Sequence, residues 1–115
     1  MMCFLNFVPI YLVNKMYKIV YLPIAKRDLK EIVAYISNEL HSPKAALSLV
    51  NTLNKSISKL AEFPFLYREY EPIKPLLEGY RILTVKNYVV LYVVLEETIE
   101  IRRIIYAKTD YEKMI

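Results

Sequence analysis

The stretch YVVLYVVL, Tyr88 to Leu95, constrains the fold more than any other part of the chain. Its β-branched and aromatic residues favour a strand. A period of two puts Tyr88, Val90, Tyr92 and Val94 on one face and Val89, Leu91, Val93 and Leu95 on the other. Both faces are apolar, so this strand belongs at the centre of a sheet, buried on each side. Short polar pairs, Lys86-Asn87 and Glu96-Glu97, bound it and read as tight turns. Tyr80 to Val85, which follows the lone glycine Gly79, and Ile99 to Tyr106 then become its antiparallel neighbours in a meander. On the last strand the same alternation sets Ile99, Ile101, Arg103 and Ile105 on one face, opposite Glu100, Arg102, Ile104 and Tyr106.

A sheet of this kind needs a covering layer, and the first half of the chain supplies it. Tyr17 to Leu22, YKIVYL, reads as a strand that stops at Pro23. From Ile24 to Leu40, the residues Leu29, Ile32, Val33, Ile36 and Leu40 recur at helical spacing, with Lys26, Arg27, Lys30 and Glu31 off that stripe. Ser42 then offers a capping hydroxyl and Pro43 fits the first helical position, where its missing N–H costs nothing. A second helix follows, with Ala46, Leu49, Leu53, Ile57 and Leu60 inward, and it ends before Pro64. Pro64, Pro72 and Pro75 punctuate an irregular connection through Glu78, in which Tyr67 to Glu71 can add a short extended piece. The expected fold class is α+β in the order β-α-α-β-β-β: a helix hairpin on one face of a small, mostly antiparallel twisted sheet. Two helices cover one face only, so the other face should present a concave surface of Tyr, Arg and aliphatic side chains.

Length and composition narrow the function. A chain of 115 residues has room for one domain, and with 56% hydrophobic residues disorder is not expected. Cys3 and His41 are the sole cysteine and histidine, so neither an internal disulfide nor a zinc site of the usual ligands is available. No metal site and no cofactor are expected, and a reducing, cytoplasmic setting fits. His41, near the end of the first helix, reads as a helix-dipole contact. The formal charge of +4 is dispersed, without the dense basic block of an autonomous nucleic-acid binder.

Residues 1–15, MMCFLNFVPIYLVNK, form an apolar extension set apart from the domain expected at 16–115. The run is shorter than the roughly 20 residues of a membrane-spanning helix and contains Pro9. It also lacks a basic leader and a small-residue cleavage site. No membrane association is expected. Either Met16 is the physiological start, or Phe4 to Val13 covers an apolar sheet face or pairs with a sheet edge.

The order of elements, with particular residues, resembles the RelE/ParE superfamily of bacterial toxins from type II toxin–antitoxin modules. The resemblance runs over nearly all of Tyr17 to Ile115. It is carried by YKIVYLPIAKRDLKEIVAYI, the Ala45-Ala46 pair, the helix exit KLAEFP, the meander core YRILTVKNYVVLYVV and the closing RRIIYAKTDYEKMI. It implies a small toxin held inactive by a cognate antitoxin in a hetero-oligomer. RelE-like members cut mRNA in the ribosomal A site; ParE-like members poison DNA gyrase. A non-toxic protein that keeps antitoxin affinity is the alternative.

RNA cleavage by such a fold needs a group to take the 2′-hydroxyl proton, cations for the charge on the phosphorane and an acid for the leaving oxygen. The resemblance makes Arg81, Lys108, Tyr106 and Tyr111 the catalytic candidates. Lys86, Arg102 and Arg68 are the candidates for RNA or target binding, and Arg27 and Lys30 for the antitoxin. Arg103, among isoleucines, reads instead as the partner of a first-helix carboxylate, Asp28 or Glu31. The pattern departs from the nucleases at two places: Val89 in YVVLY stands where RelE carries an arginine, and Tyr106 stands where other ribosome-dependent members place a histidine. An activity as a metal-independent endoribonuclease and a ParE-like activity on gyrase are both compatible with this pattern.

Overall fold

A computed structural model of the chain describes residues 16–67 and 79–108. The elements run β1 (Lys18–Tyr21), α1 (Pro23–Ala34), a π-helical turn (Tyr35–Glu39), α2 (Pro43–Glu62), β2 (Arg81–Val85), β3 (Tyr88–Leu95) and β4 (Thr98–Tyr106). The extension at 1–15, the segment around Pro72 and Pro75, Arg68 and Tyr111 lie outside the described residues.

The strands form one sheet in the order β1-β4-β3-β2. β2 pairs antiparallel with β3, with Leu83 opposite Val90, and β3 pairs antiparallel with β4. β1 lies parallel to β4, Ile19 opposite Ile99 and Tyr21 opposite Ile101. The architecture is the expected α+β arrangement, and β3 sits inside the sheet, buried from Val89 to Val93. Its two faces feed two clusters. Val90 and Tyr92 join the helices through Leu49, Leu53, Ile57 and Leu60. Val89, Leu91 and Val93 join Tyr80 and Ile105 on the other side.

Local chemistry accounts for the helix ends. Ser42 Oγ accepts from the Ala45 N–H at 3.2 Å, and Pro43 opens α2. All the residues expected on the inner side of α2 are buried. The first helix departs from its expected continuous course to Leu40. After Ala34 the chain widens into the π-helical turn, in which the Leu40 N–H bonds the Tyr35 carbonyl and the Ser42 N–H bonds the Ile36 carbonyl. The wider turn breaks the 3.6-residue phase. Ile36 stays in the core, while Leu40 leaves the stripe and is 56% exposed. His41 then reverses the chain with φ of 51°.

The expected alternation along β4 also fails, for a specific reason. Leu91 pairs with Arg103 but the next residue, Tyr92, pairs with Ile101, so Arg102 is an extra residue in a β-bulge. Beyond it the phase shifts: Ile99, Ile101 and Ile104 enter the helix-side core and Ile105 the opposite cluster. The bulge coincides with the end of β1, whose last register partner is Ile101. Past that point Asp28 of α1 takes over. Its carboxylate accepts from Arg103 Nε at 2.7 Å and Nη2 at 3.0 Å, and from the Ile104 N–H at 3.0 Å. The pair expected from the sequence therefore forms, and the same carboxylate also satisfies a β4 backbone group that β1 no longer reaches.

Removing one partner of such a buried pair leaves the other uncompensated, which typically costs about 3–5 kcal/mol. Asp28→Ala is expected to lose stability of about that size in urea denaturation. The double variant Asp28→Leu/Arg103→Met should recover part of the loss, because no buried charge is then unpaired, although the Ile104 N–H still lacks its acceptor.

Candidate functional site

The candidate residues fall at separate places on the molecule. Arg81 opens β2 opposite Tyr92, which directs it to the helix side of the sheet. Its Nη1 donates to the Tyr67 carbonyl at 2.7 Å, and its guanidinium lies 4.9 Å from the centre of the Phe65 ring. Phe65 in turn meets Tyr17 edge-on, with ring centres 6.5 Å apart. Arg81 thus clasps the chain leaving α2 to the edge of the sheet.

Arg102, projected by the bulge, occupies the opposite face. Its Nη2 pairs with Glu100 at 2.7 Å, its Nη1 lies 3.5 Å from the Tyr80 hydroxyl and its guanidinium stands 5.7 Å from that ring. Its Nε is buried without a hydrogen-bond partner. This face differs from the expected concave surface: Tyr80, Val89, Leu91, Val93 and Ile105 are all buried, Leu91 to 1%. The apolar side chains pack on one another across the strands and Arg102 lies against Tyr80, so little of the face is left to receive a ligand.

Lys86 and Lys108 gather at one end of the sheet, both exposed. Lys86 begins the β2–β3 turn with φ of 55°, a left-handed conformation that costs a residue with a Cβ about 1–2 kcal/mol. Lys108 follows β4, where the Ala107 N–H bonds the Asn87 carbonyl at 2.8 Å. Tyr106 lies beside them and meets Tyr88 edge-on, with ring centres 5.8 Å apart. Strand rise and spacing put this end roughly 15 Å from Arg81. Arg27 and Lys30 stand on the exposed side of α1. The structure thus brings Tyr106, Lys86 and Lys108 to one end of the sheet and leaves Arg81, Arg102 and the α1 cations apart from it and from one another.

Next to this end, on the helix side, an open cleft of about 660 Å³ separates the end of α1 from β4. Glu31, Tyr35 and Leu40 line one wall and Tyr88, Ile104 and Tyr106 the other. Glu31, Tyr35 and Leu40 are absent from the candidates that the sequence suggests. Leu40 reads as core by its spacing, and the π-helical turn moves it to the rim.

Tyr88 is pushed above its usual range, first by burial and then by the nearby Tyr106 and Tyr35 hydroxyls. Arg103 is held further on the charged side by its hydrogen bonds to Asp28. Among the described residues no group of three or more His, Cys, Asp and Glu is placed to hold a metal, and no helix is long and apolar enough to cross a membrane.

Fold and sequence together identify the class. Residues 19–111 match the ParE toxin of the type II toxin–antitoxin system parDE, and the chain belongs to this toxin family. Its cognate partner is accordingly an antitoxin. A structure of the chromosomal ParDE toxin–antitoxin system from P. aeruginosa is similar at a TM-score of 0.68 and 22% identity, over 83% of this chain and 100% of that one. The toxin–antitoxin complex RelBE2 from Mycobacterium tuberculosis is similar at 0.53 and 20%, over 79% and 98%. A YoeB/ParE toxin from Agrobacterium tumefaciens is similar at 0.53 and 17%, over 77% and 96%. These likenesses establish the fold. No curated protein is significantly similar in sequence.

Tyr92 gives the core a measurable pH signature. The side chain is fully buried, and burial, partly offset by Arg81, pushes its hydroxyl up to about 12. An unfolded tyrosine ionises near pH 10. Stability is therefore full below pH 10 and falls between pH 10 and 12, as the unfolded state loses its proton first. Thermal denaturation across this range should show a smaller decline for Tyr92→Phe than for the parent, the residual slope coming from Tyr21 and Tyr88, which burial also raises.

Proposed function

We propose that this toxin arrests growth in the ParE manner, by acting on DNA gyrase as a binding protein, rather than by cutting mRNA. The observation that carries the reading is the dispersal of the groups that RNA cleavage would require. Arg81 holds Phe65 and Tyr67 on the helix side. Arg102 is paired with Glu100 on the other face. Lys86, Tyr106 and Lys108 lie at the end of the sheet. A phosphorane needs its cations, base and acid within hydrogen-bond reach of one phosphate; among the described candidates Lys86, Tyr106 and Lys108 share one end of the sheet while Arg81 and Arg102 are engaged elsewhere, which supports a binding role over RNA cleavage. The two departures from the nuclease pattern, Val89 and Tyr106, agree with this. The reading treats 16–115 as the toxin domain, works without a cofactor and is set in the cytoplasm.

Expression of the chain alone, and with its cognate antitoxin, tests the proposal. Growth arrest with gyrase-linked double-strand breaks and intact transcripts is the expected result, relieved by the antitoxin. Cuts in mRNA at the ribosomal A site would overturn it in favour of a nuclease, and unaffected growth with retained antitoxin binding would make the chain a non-toxic binding protein. Arg81→Gln separates the readings further. It should lower stability by roughly 1–2 kcal/mol, through the lost hydrogen bond and cation–π contact, yet still arrest growth. A stably folded Arg81→Gln protein that no longer arrests growth would favour the nuclease.

A further inference from the structure

The excess positive charge of the chain lies in its helix layer. Residues 64–115 balance eight Lys and Arg with eight Asp and Glu, whereas the two helices carry Lys26, Arg27, Lys30, Lys44, Lys55 and Lys59, all exposed. The acids of the same layer do not offset them. Asp28 is buried and held by Arg103. Glu31 lines the cleft, Glu39 lies in the π-helical turn and Glu62 ends α2. None of the six cations forms an ion pair or hydrogen bond with a described residue.

Their placement runs against helix stability. Lys26 and Lys30 on α1, and Lys55 and Lys59 on α2, are four residues apart, so each pair stacks like charges on neighbouring turns. Neither helix has an acidic residue in its first turn, and Lys26 and Lys44 stand there, where the helix dipole disfavours a cation. A polyanion laid on this surface would relieve both repulsions. Geometry gathers the groups. The buried residues of α1 and α2 face the sheet, which leaves these six on the solvent side of the helix pair. The short connection at 40–42 turns α2 back along α1, and counting from it at about 1.5 Å per residue sets Lys26 and Lys30 near the level of Lys55 and Lys59. Packed helix axes lie about 8–10 Å apart, and the grooves of duplex DNA are about 6–12 Å wide. Two cation rows at that separation can meet phosphates on both sides of one groove.

We propose that the outer surface of the helix pair lies against the phosphates of duplex DNA held by gyrase. The assignment rests on the gyrase reading and deepens it: the toxin meets enzyme and DNA together, with its helix layer on the DNA. Contacts from two short rows of lysines position the protein without reading base sequence. A chain without a dense basic block binds free DNA weakly, so the surface adds its affinity where the enzyme already holds the duplex close. Lys30, an antitoxin candidate by sequence, is thereby assigned to DNA.

Fluorescence anisotropy of a short labelled DNA duplex, titrated over a range of salt with the full chain freed of its antitoxin, tests the surface. The variants are Lys30→Gln/Lys59→Gln, one cation from each row, and Lys18→Gln, an exposed lysine that β1 turns to the other face of the sheet. Circular dichroism checks that each is folded. The double variant is expected to bind about tenfold more weakly, with a salt slope shallower by about 1.8, since each phosphate contact contributes about 0.9. Lys18→Gln should match the parent. In a gyrase cleavage assay on plasmid DNA, the double variant should need about tenfold more protein to reach the parental level of double-strand breaks. Parental affinity and salt slope in the folded double variant, parental potency in the cleavage assay, or tighter binding to single-stranded RNA than to the duplex would each overturn the DNA surface; breaks produced by the parent chain with gyrase would still uphold the gyrase reading. A parent chain that binds the duplex yet yields no gyrase-linked breaks would instead overturn the gyrase reading, and with it the enzyme as the place where DNA is met.

Discussion

The contact on which the arrangement turns is the carboxylate of Asp28, buried between α1 and β4 and shared by the Arg103 guanidinium and the Ile104 backbone N–H. It acts where three irregularities coincide: β1 ends, β4 carries an extra residue and the phase of the sheet shifts. A sheet edge that loses its neighbour under a helix exposes backbone groups to a region without water, and an orphaned N–H there costs about as much as a lost hydrogen bond. One aspartate meets that demand and neutralises the arginine at the same site. The orientation of α1 over the sheet, and hence the position of the π-helical turn and the cleft beyond it, follows from this junction.

The two arginines next to each other on β4 illustrate how a bulge divides similar side chains between different tasks. Arg103 turns to the helix and is consumed in packing, with Asp28 raising its hold on the proton. Arg102 turns to the other face, where Glu100 and the Tyr80 ring hold it. Arg81, from the edge strand, serves the chain leaving α2. Each of these three guanidiniums has a local role, and they stand at different places on the molecule.

The cleft and the apolar face of the sheet differ in what they can offer a partner. The apolar side chains of the face opposite the helices are buried and packed on one another. The cleft has open walls with exposed apolar residues at its rim. Leu40 reaches its rim because the π-helical turn displaces that residue from the helical stripe, a local irregularity of the kind that often accompanies function.

The sequence by itself determined the layers. Apolar alternation on both faces of β3, the turn pairs at its ends, the stripe of α2 and the Ser42-Pro43 start are local or periodic features, and hydrophobic burial reads them directly. That Arg103 pairs with a first-helix carboxylate was also legible, because an arginine among isoleucines demands a buried counter-charge, and the structure selected Asp28 over Glu31. Tertiary structure alone decided the β4 bulge, the π-helical turn and the partners of Arg81 and Arg102. These depend on where β1 runs out, on which backbone groups are left without partners and on which rings lie within reach, and none of these leaves a periodic mark on the chain. The candidate site residues were drawn from positions along the chain, whereas their neighbours depend on distances across strands and on which face a one-residue shift selects.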